Sequence, residues 1–76
     1  MKALLLKYNS RTGGDKLPKI QELAKKHDLK IESVEDLQES PTKLLKVVRV
    51  SGETANLHKL DKELVRHASI TRKALS

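Results

Sequence analysis

The feature that most constrains the fold of this chain is its near lack of aromatic side chains. Its 76 residues contain one tyrosine, Tyr8, and no phenylalanine, tryptophan or cysteine. Leucine, isoleucine, valine and alanine must therefore fill the core, and neither a disulfide framework nor a thiolate metal site can be built. A chain of this length is expected to form one domain, residues 1–76, whose modest core gains stability from a partner or a second copy.

The first third of the chain predicts a strand followed by a helix. Residues 3–6 form a continuous apolar run, which is typical of a short strand buried on both faces. A cluster of turn-forming residues follows at 9–15. The helix is predicted to begin near Asp15, a good capping residue, and to end at His27, with Pro18 tolerated in its first turn.

The middle of the chain predicts a short strand, a short helix and a sharp break. Apolar and charged residues alternate over 29–33, which indicates a half-exposed strand. Ser33 is followed by acidic residues, as a helix cap often is, so a short helix to about Glu39 is expected. The proline within residues 40–42 then ends any regular element.

The C-terminal half predicts the clearest strand and the second main helix. Residues 44–50 are rich in β-branched side chains. From Thr54 the leucines recur every three or four residues, as on one face of a helix. Ser69 is a candidate cap for a last short helix over 70–75. The sequence therefore leaves open whether residues 54–75 form one helix or two. The order is β-α-β-(α)-β-α-(α), which predicts a single α+β or small α/β domain with about three strands and two main helices.

The positive charge is concentrated in the C-terminal half of the chain. Sixteen Lys and Arg residues oppose ten Asp and Glu residues, which gives a net charge of +6. Residues 1–40 hold eight basic and seven acidic side chains, whereas residues 41–76 hold eight basic and three acidic ones. This asymmetry predicts a C-terminal half that faces a polyanion, and the alternative is a Lys-rich surface that only keeps the protein in solution.

The most specific feature within this positive charge is a basic stripe on the second main helix. His58, Lys62 and Arg66 stand four residues apart on one helical face, with Lys59 beside them. Phosphates attract such charges because binding releases counterions, although a solvated face paired with neighbouring acids remains the alternative. The predicted nucleic-acid-binding residues are Lys46, Arg49, Lys59, Lys62, Arg66, Ser69, Arg72 and Lys73.

Residues 46–75 resemble a ribbon-helix-helix DNA-binding unit. The resemblance is carried by Lys46-Val47-Val48-Arg49-Val50-Ser51, Glu53-Thr54, the leucines at 57, 60 and 64, Ser69 and Arg72-Lys73-Ala74-Leu75. It implies a dimer that pairs this strand in the major groove and a second helix whose N-terminus holds a phosphate. The chain departs from the family at His67-Ala68, where a glycine is usual.

Residues 3–37 resemble one strand–loop–helix–strand stretch of dihydroxybutanone-phosphate synthases, which are metal-dependent enzymes of riboflavin synthesis. The resemblance is carried by Ala3-Leu4-Leu5-Leu6-Lys7-Tyr8-Asn9, Lys16-Leu17-Pro18, Glu22-Leu23-Ala24-Lys25-Lys26-His27, Ile31 and Val34-Glu35-Asp36-Leu37. The family has a functional glutamate three residues before the asparagine, and this chain has Leu6 there. The family's acidic metal-binding loop has no counterpart in these 76 residues. The resemblance therefore implies a shape for this segment and not the activity.

Three other features have both a functional and a plainer interpretation. The loop Arg11-Thr12-Gly13-Gly14 follows a strand and precedes a helix, so it is a candidate anion-binding loop, although a simple turn explains it too. Glu63 and His67 have metal-ligand spacing, but two ligands do not define a site. The acidic residues Glu32, Glu35, Asp36 and Glu39 are an exposed patch where a basic partner could dock. No metal, cofactor or catalytic set is predicted.

The function predicted is a small basic DNA-binding or transcription-associated regulator that acts without a cofactor. The alternative is an inhibitor or adaptor of a polymerase or ribosome, which could add the strand 44–50 to a partner's sheet. An enzyme or enzyme remnant is the last choice. The expected partner is duplex DNA or a nucleic-acid-associated protein, with homodimerisation left open. The apolar run ending at Leu6 is too short for a signal peptide, so a cytoplasmic location without membrane contact is expected.

Overall fold

Four strands form one antiparallel sheet, and two helices pack against one of its faces, in a computed structural model that describes residues 1–11 and 14–76. The elements are β1 (Ala3–Asn9), α1 (Leu17–Lys26), β2 (Lys30–Ser40), β3 (Lys43–Ser51), α2 (Thr54–Leu64) and β4 (Thr71–Leu75). The sheet order is β2-β3-β1-β4. Each helix connects two strands that are separated in the sheet by a third, which is the split-βαβ arrangement of ferredoxin-like domains. The predicted α+β domain is confirmed, with four strands where about three were expected.

The core lies between the helices and one face of the sheet. In β1 the alternate residues Leu4, Leu6 and Tyr8 are buried against the helices, whereas Leu5 is half-buried and Lys7 is exposed on the other side. The expectation of a strand buried equally on both faces is therefore corrected. The core cluster is completed by Ile20, Leu23, Ala24, Val48, Val50, Leu57, Leu60, Leu64 and Ile70. As the composition predicts, this core is aliphatic apart from Tyr8.

The short helix predicted from Ser33 to about Glu39 is wrong, because this segment belongs to β2. The chain turns back through Pro41 and Thr42, and β2 pairs with β3 from Lys30 to Ser40. That pairing satisfies the backbone groups on the side of β2 that faces β3, apart from two irregularities in the register. It outweighs both the local capping signal and the poor strand propensity of acidic residues. The break predicted at residues 40–42 is confirmed as the hairpin turn.

The last short helix predicted over 70–75 is also wrong, since residues 71–75 form β4. The second helix ends at Leu64, and a turn leads to the buried Ile70. β4 then pairs with β1, whose outer edge would otherwise be left without hydrogen-bond partners. Residues 54–75 are therefore one helix followed by a strand, and Ser69 caps no helix.

The strand predicted at 44–50 exists as part of β3, but it lies inside the sheet. It pairs with β1 on one side and with β2 on the other. Its backbone groups are therefore already used on both sides. The expectation that this strand is exposed and adds to a partner's sheet edge is corrected, because the edges of the sheet are β2 and β4.

The turn between α1 and β2 uses a non-glycine residue in the left-handed region. Asp28 has a φ of 54°, the amide of Asp28 donates to the carbonyl of Lys25, and the amide of Leu29 donates to the carbonyl of Ala24. These two bonds form the Schellman motif that ends many helices. Leu29 then packs against Gly52, where an added Cβ would lie 2.5 Å from the Leu29 Cδ2 atom.

The start of α1 is fixed by a carboxylate that also anchors β1. The helix begins at Leu17, two residues later than predicted, and the Leu17 amide donates to Oδ1 of Asp15 at 3.1 Å. The Tyr8 hydroxyl donates to the same oxygen at 2.8 Å. The Leu17 amide and the Tyr8 hydroxyl lower the pKa of Asp15. This network joins the loop before α1 to the middle of the sheet.

Candidate nucleic-acid interface

A groove between the two helices gathers basic side chains from both of them. Its volume is about 510 Å³. One wall comes from α1 with Lys19, Glu22, Leu23 and Lys26, and the other comes from the end of α2 and the turn after it with Lys62, Glu63, Arg66 and His67. We call this set the helix groove. Four of its side chains are basic and two are acidic, so it has a positive excess.

Glu63 does not contribute a free negative charge to the helix groove. Its Oε1 atom accepts from Lys26 Nζ at 2.7 Å and lies 3.1 Å from His27 Nε2. The hydrogen bond from Lys26 lowers the pKa of Glu63, and His27 acts in the same direction. The carboxylate is therefore ionised and engaged with α1. The contact joins the two helices and neutralises Lys26. The remaining charges that face solvent in the groove are Lys19, Lys62 and Arg66 and the carboxylate of Glu22, which leaves a net excess of two positive charges.

The basic stripe predicted on the second helix is present in part. Lys59, Lys62 and Arg66 are exposed, and no ion pair within 4 Å involves them in the described part of the chain. Lys62 and Arg66 line the helix groove, whereas Lys59 lies outside it. Because α2 ends at Leu64, Arg66 belongs to the following turn. The structure thus brings two of the predicted residues to one site and places a third nearby.

Two other predicted phosphate-binding residues are held by contacts inside the protein. Arg72 donates to the backbone carbonyl of Asp61 at 2.8 Å and to its carboxylate at 3.0 Å. This contact fastens β4 to α2. Lys46 points to the helix side of the sheet, where its side chain is 20 % exposed and lies 3.9 Å from the Asp36 carboxylate. Both residues are explained by these structural contacts.

Arg49 and Lys73 lie on the face of the sheet that carries no helix in the described residues. In the sheet register they flank Leu5 on either side, pointing away from the core. The sheet therefore separates them from the helix groove. We call this side of the sheet the open sheet face. The side chains that point to it include Leu5, Lys7, Leu37, Leu45, Val47, Arg49 and Lys73. The single basic cluster predicted from the sequence is divided between two opposite surfaces.

The candidate anion-binding loop is only partly described. Thr12 and Gly13 lie outside the described residues. Arg11 is exposed, and its amide donates to the Asn9 side chain at 3.0 Å. Gly14 is exposed with a φ of 80°. Arg11 and Gly14 lie on either side of the two positions that are not described. The anion-binding hypothesis itself stays a prediction.

The acidic patch predicted at residues 32–39 lies along β2 and is largely paired. Glu39 lies 3.4 Å from Lys43 Nζ, and Asp36 lies near Lys46. The hydroxyl of Ser51 donates to Glu32, and this bond lowers the pKa of Glu32.

The described part of the chain holds neither a metal-ion cluster nor a membrane-crossing helix. Across residues 1–11 and 14–76, no group of three or more His, Asp or Glu side chains is placed to hold a metal ion. Within the same part of the chain, neither helix has the length and apolar character required to cross a membrane.

Comparison of the chain with protein-family models, with curated proteins and with solved structures finds no match in any of the three. The resemblances to ribbon-helix-helix proteins and to dihydroxybutanone-phosphate synthases therefore stay predictions. The second helix that the first resemblance implies is replaced by β4. The strand that would pair between two copies is β3, which already has two neighbours.

Sequence reasoning missed Lys19 and Lys26 as members of the site. They are seven residues apart, which places them two turns apart on one face of α1. Counting charge by halves of the chain concealed them, because the first 40 residues are nearly neutral. The sequence signal that could have found these two lysines is their helical spacing, which places both of them beside the buried stripe of α1.

Proposed function

We propose that this chain is a small DNA-binding domain, with a regulatory or transcription-associated role, that engages the phosphate backbone through the helix groove. The observation that carries the proposal is the convergence of Lys19, Lys62 and Arg66 from both helices on one groove, where they outnumber the exposed Glu22, while Glu63 is occupied by Lys26. A backbone phosphate in this groove would be attracted by all three cations at once. No cofactor is required for this role, and a cytoplasmic location is part of the proposal.

The one aromatic side chain of the protein favours duplex over single-stranded nucleic acid as the partner. Proteins that grip single strands stack bases on exposed aromatic rings. Tyr8 is 2 % exposed and lies in the core. Binding would therefore depend on phosphates, whose positions are regular in a duplex, and would carry little sequence information by itself. A regulator of this type would need a second contact to select its site.

The test is fluorescence anisotropy of a labelled random duplex, titrated with protein between about 50 and 200 mM salt. Non-specific affinity on the order of 1–100 μM at physiological salt is expected. The double variant Lys62→Gln/Arg66→Gln should bind more weakly and flatten the plot of log affinity against log salt by about 1.8, because each lost phosphate contact accounts for about 0.9.

The matched control is Lys2→Gln/Lys43→Gln, which removes the same charge from exposed positions outside the helix groove. It should leave the salt slope within about 0.5 of the parent value, because its lysines contact no phosphate in this arrangement. Circular dichroism establishes that both variants are folded. Equal losses in the two variants would show that binding follows net charge alone, and the proposed site would be abandoned. Absence of binding at about 50 mM salt would refute DNA binding itself.

A further inference from the structure

The open sheet face combines an aliphatic stripe with a positive cluster that the carboxylates of Glu32 and Glu35 offset only in part. Side chains alternate across a strand, so the burial of Leu4, Leu6 and Tyr8 against the helices sends Leu5 and Lys7 to the opposite face. The register then places the neighbouring side chains of β2, β3 and β4 around them.

The aliphatic stripe crosses three strands. Leu37 of β2 is directly opposite Leu45 of β3, and Val47 follows Leu45 on the same face. Leu5 of β1 is diagonal to Val47, at a distance of about 7–8 Å between neighbours of this kind. Leu37 is 50 % exposed, and the other three are half-buried. These side chains form a continuous apolar surface that no described helix covers.

The positive cluster surrounds one end of this stripe. Arg49 and Lys73 are the two cross-strand neighbours of Leu5, and Lys7 lies two residues further along β1. None of the three makes an ion pair within 4 Å among residues 1–11 and 14–76. Like charges on neighbouring positions of a sheet repel. Glu32, whose carboxylate interacts with the charge of Arg49, and Glu35, which lies opposite Val47 on the same face, offset part of this repulsion. Three cations against two carboxylates leave an excess of positive charge. An anionic partner would offset it.

We propose that the open sheet face binds an amphipathic helix of another protein, one whose aliphatic stripe is flanked by glutamate or aspartate. Antiparallel sheets often leave one face to solvent, but a face that carries a continuous apolar surface is commonly buried against another layer, such as a helix. The partner's aliphatic side chains would cover Leu5, Leu45 and Val47. Its carboxylates would pair with Lys7, Arg49 and Lys73, which gives the complex both its charge complementarity and its orientation.

The same features argue against two other occupants. Nucleic acid would bring phosphates to the lysines but would leave the aliphatic stripe without an apolar cover, and this face offers no aromatic ring for stacking. A second copy of this chain, packed face to face about a two-fold axis, would bring Arg49, Lys7 and Lys73 towards their own like charges. An acidic amphipathic helix would cover the aliphatic stripe with its apolar side chains and pair its carboxylates with the positive cluster.

The probe is a labelled 20-residue helical peptide with leucine at positions i, i+3, i+4 and i+7 and glutamate on both flanks. Anisotropy gives its affinity, and amide chemical shifts of the isotopically labelled protein locate it. We expect saturable binding with shifts concentrated in β1, β3 and β4. The double variant Arg49→Glu/Lys73→Glu should lose at least about tenfold in affinity, and a peptide with lysine in place of glutamate should recover binding to that variant.

The control with the same charge change is Lys62→Glu/Arg66→Glu, which alters the helix groove and should keep peptide affinity within about twofold. If the charge-reversed sheet variant does not fold, Arg49→Gln/Lys73→Gln replaces it and should lose about threefold or more. Four results would overturn the proposal. They are the absence of shifts at about 1 mM peptide, shifts confined to the helices, concentration-dependent dimerisation abolished by Val47→Glu, and duplex binding that depends on Arg49 and Lys73.

Discussion

Replacing Gly52 with alanine should be one of the most damaging small changes in this protein. The φ of Gly52 is 152°, which an L-residue rarely adopts, and the new Cβ would lie 2.5 Å from Leu29 Cδ2 and 3.6 Å from Leu29 Cα. Leu29 Cδ2 is the far end of a flexible side chain that can turn aside, so overpacking adds about 1 kcal/mol, the low end of its usual range, and backbone strain adds about 1–3 kcal/mol. The free energy of unfolding of a domain of this size is itself only about 4–11 kcal/mol.

The assay is thermal and urea unfolding of Gly52→Ala beside Gly14→Ala. Gly14 also has a positive φ, 80°, but an added Cβ there meets nothing within 4 Å. Gly14→Ala therefore reports backbone strain alone, and we expect it to cost about 1 kcal/mol. Gly52→Ala should cost about 2–4 kcal/mol, which lowers the melting temperature by at least about 8 °C in a domain this small.

A double-mutant cycle with Leu29→Ala isolates the steric part of the effect. Removing the Leu29 side chain leaves room for the Cβ at position 52, so the two changes should be less harmful together than their sum by about 1 kcal/mol. Strict additivity, or a Gly52→Ala loss no larger than that of Gly14→Ala, would refute the argument that the Leu29 contact requires glycine at this position.

Two other predictions concern the ends of α1. Burial, and then the hydrogen bond to Asp15, raise the pKa of Tyr8 above its ordinary value, so its contribution to stability is complete below pH about 10 and is lost as the pH rises further. Tyr8→Phe should show a smaller loss of stability than the parent between pH about 9 and 11 in urea unfolding, and parallel curves would contradict this. Asp28→Gly should raise the free energy of unfolding by up to about 1 kcal/mol, because glycine tolerates the left-handed conformation of this helix end, and a decrease would show that the Asp28 side chain contributes more than its backbone strain.

The fold could be predicted where local pattern and tertiary contacts agree. The leucine spacing after Thr54 indicates the buried face of α2, and the break predicted at residues 40–42 coincides with the turn between β2 and β3. The failures are segments whose structure depends on distant partners. Ser33 to Glu39 carries a helix cap signal, but it pairs with β3, and residues 71–75 become a strand because β1 needs a neighbour on that side.

The candidate site could be predicted only for Lys62 and Arg66, which one helix brings together. The lysines of α1 join them through packing between helices, which sequence spacing within α2 does not report. Lys46 and Arg72 lie outside the groove for a related reason. Whether a strand residue faces the helices or solvent depends on its position in the sheet, and a shift of one residue reverses the side.

The long outer strand β2 has a consequence for how copies of this protein behave at high concentration. One side of β2 pairs with β3, so the backbone groups on its other side have no strand partner in the sheet, and an unprotected edge of this kind can recruit the same edge of another molecule. Four carboxylates, at Glu32, Glu35, Asp36 and Glu39, lie along β2. Two such edges brought together would set carboxylate against carboxylate. We therefore expect the sequence that misleads prediction in this segment to oppose pairing of this edge with another molecule, although Glu39 and Asp36 also pair with Lys43 and Lys46.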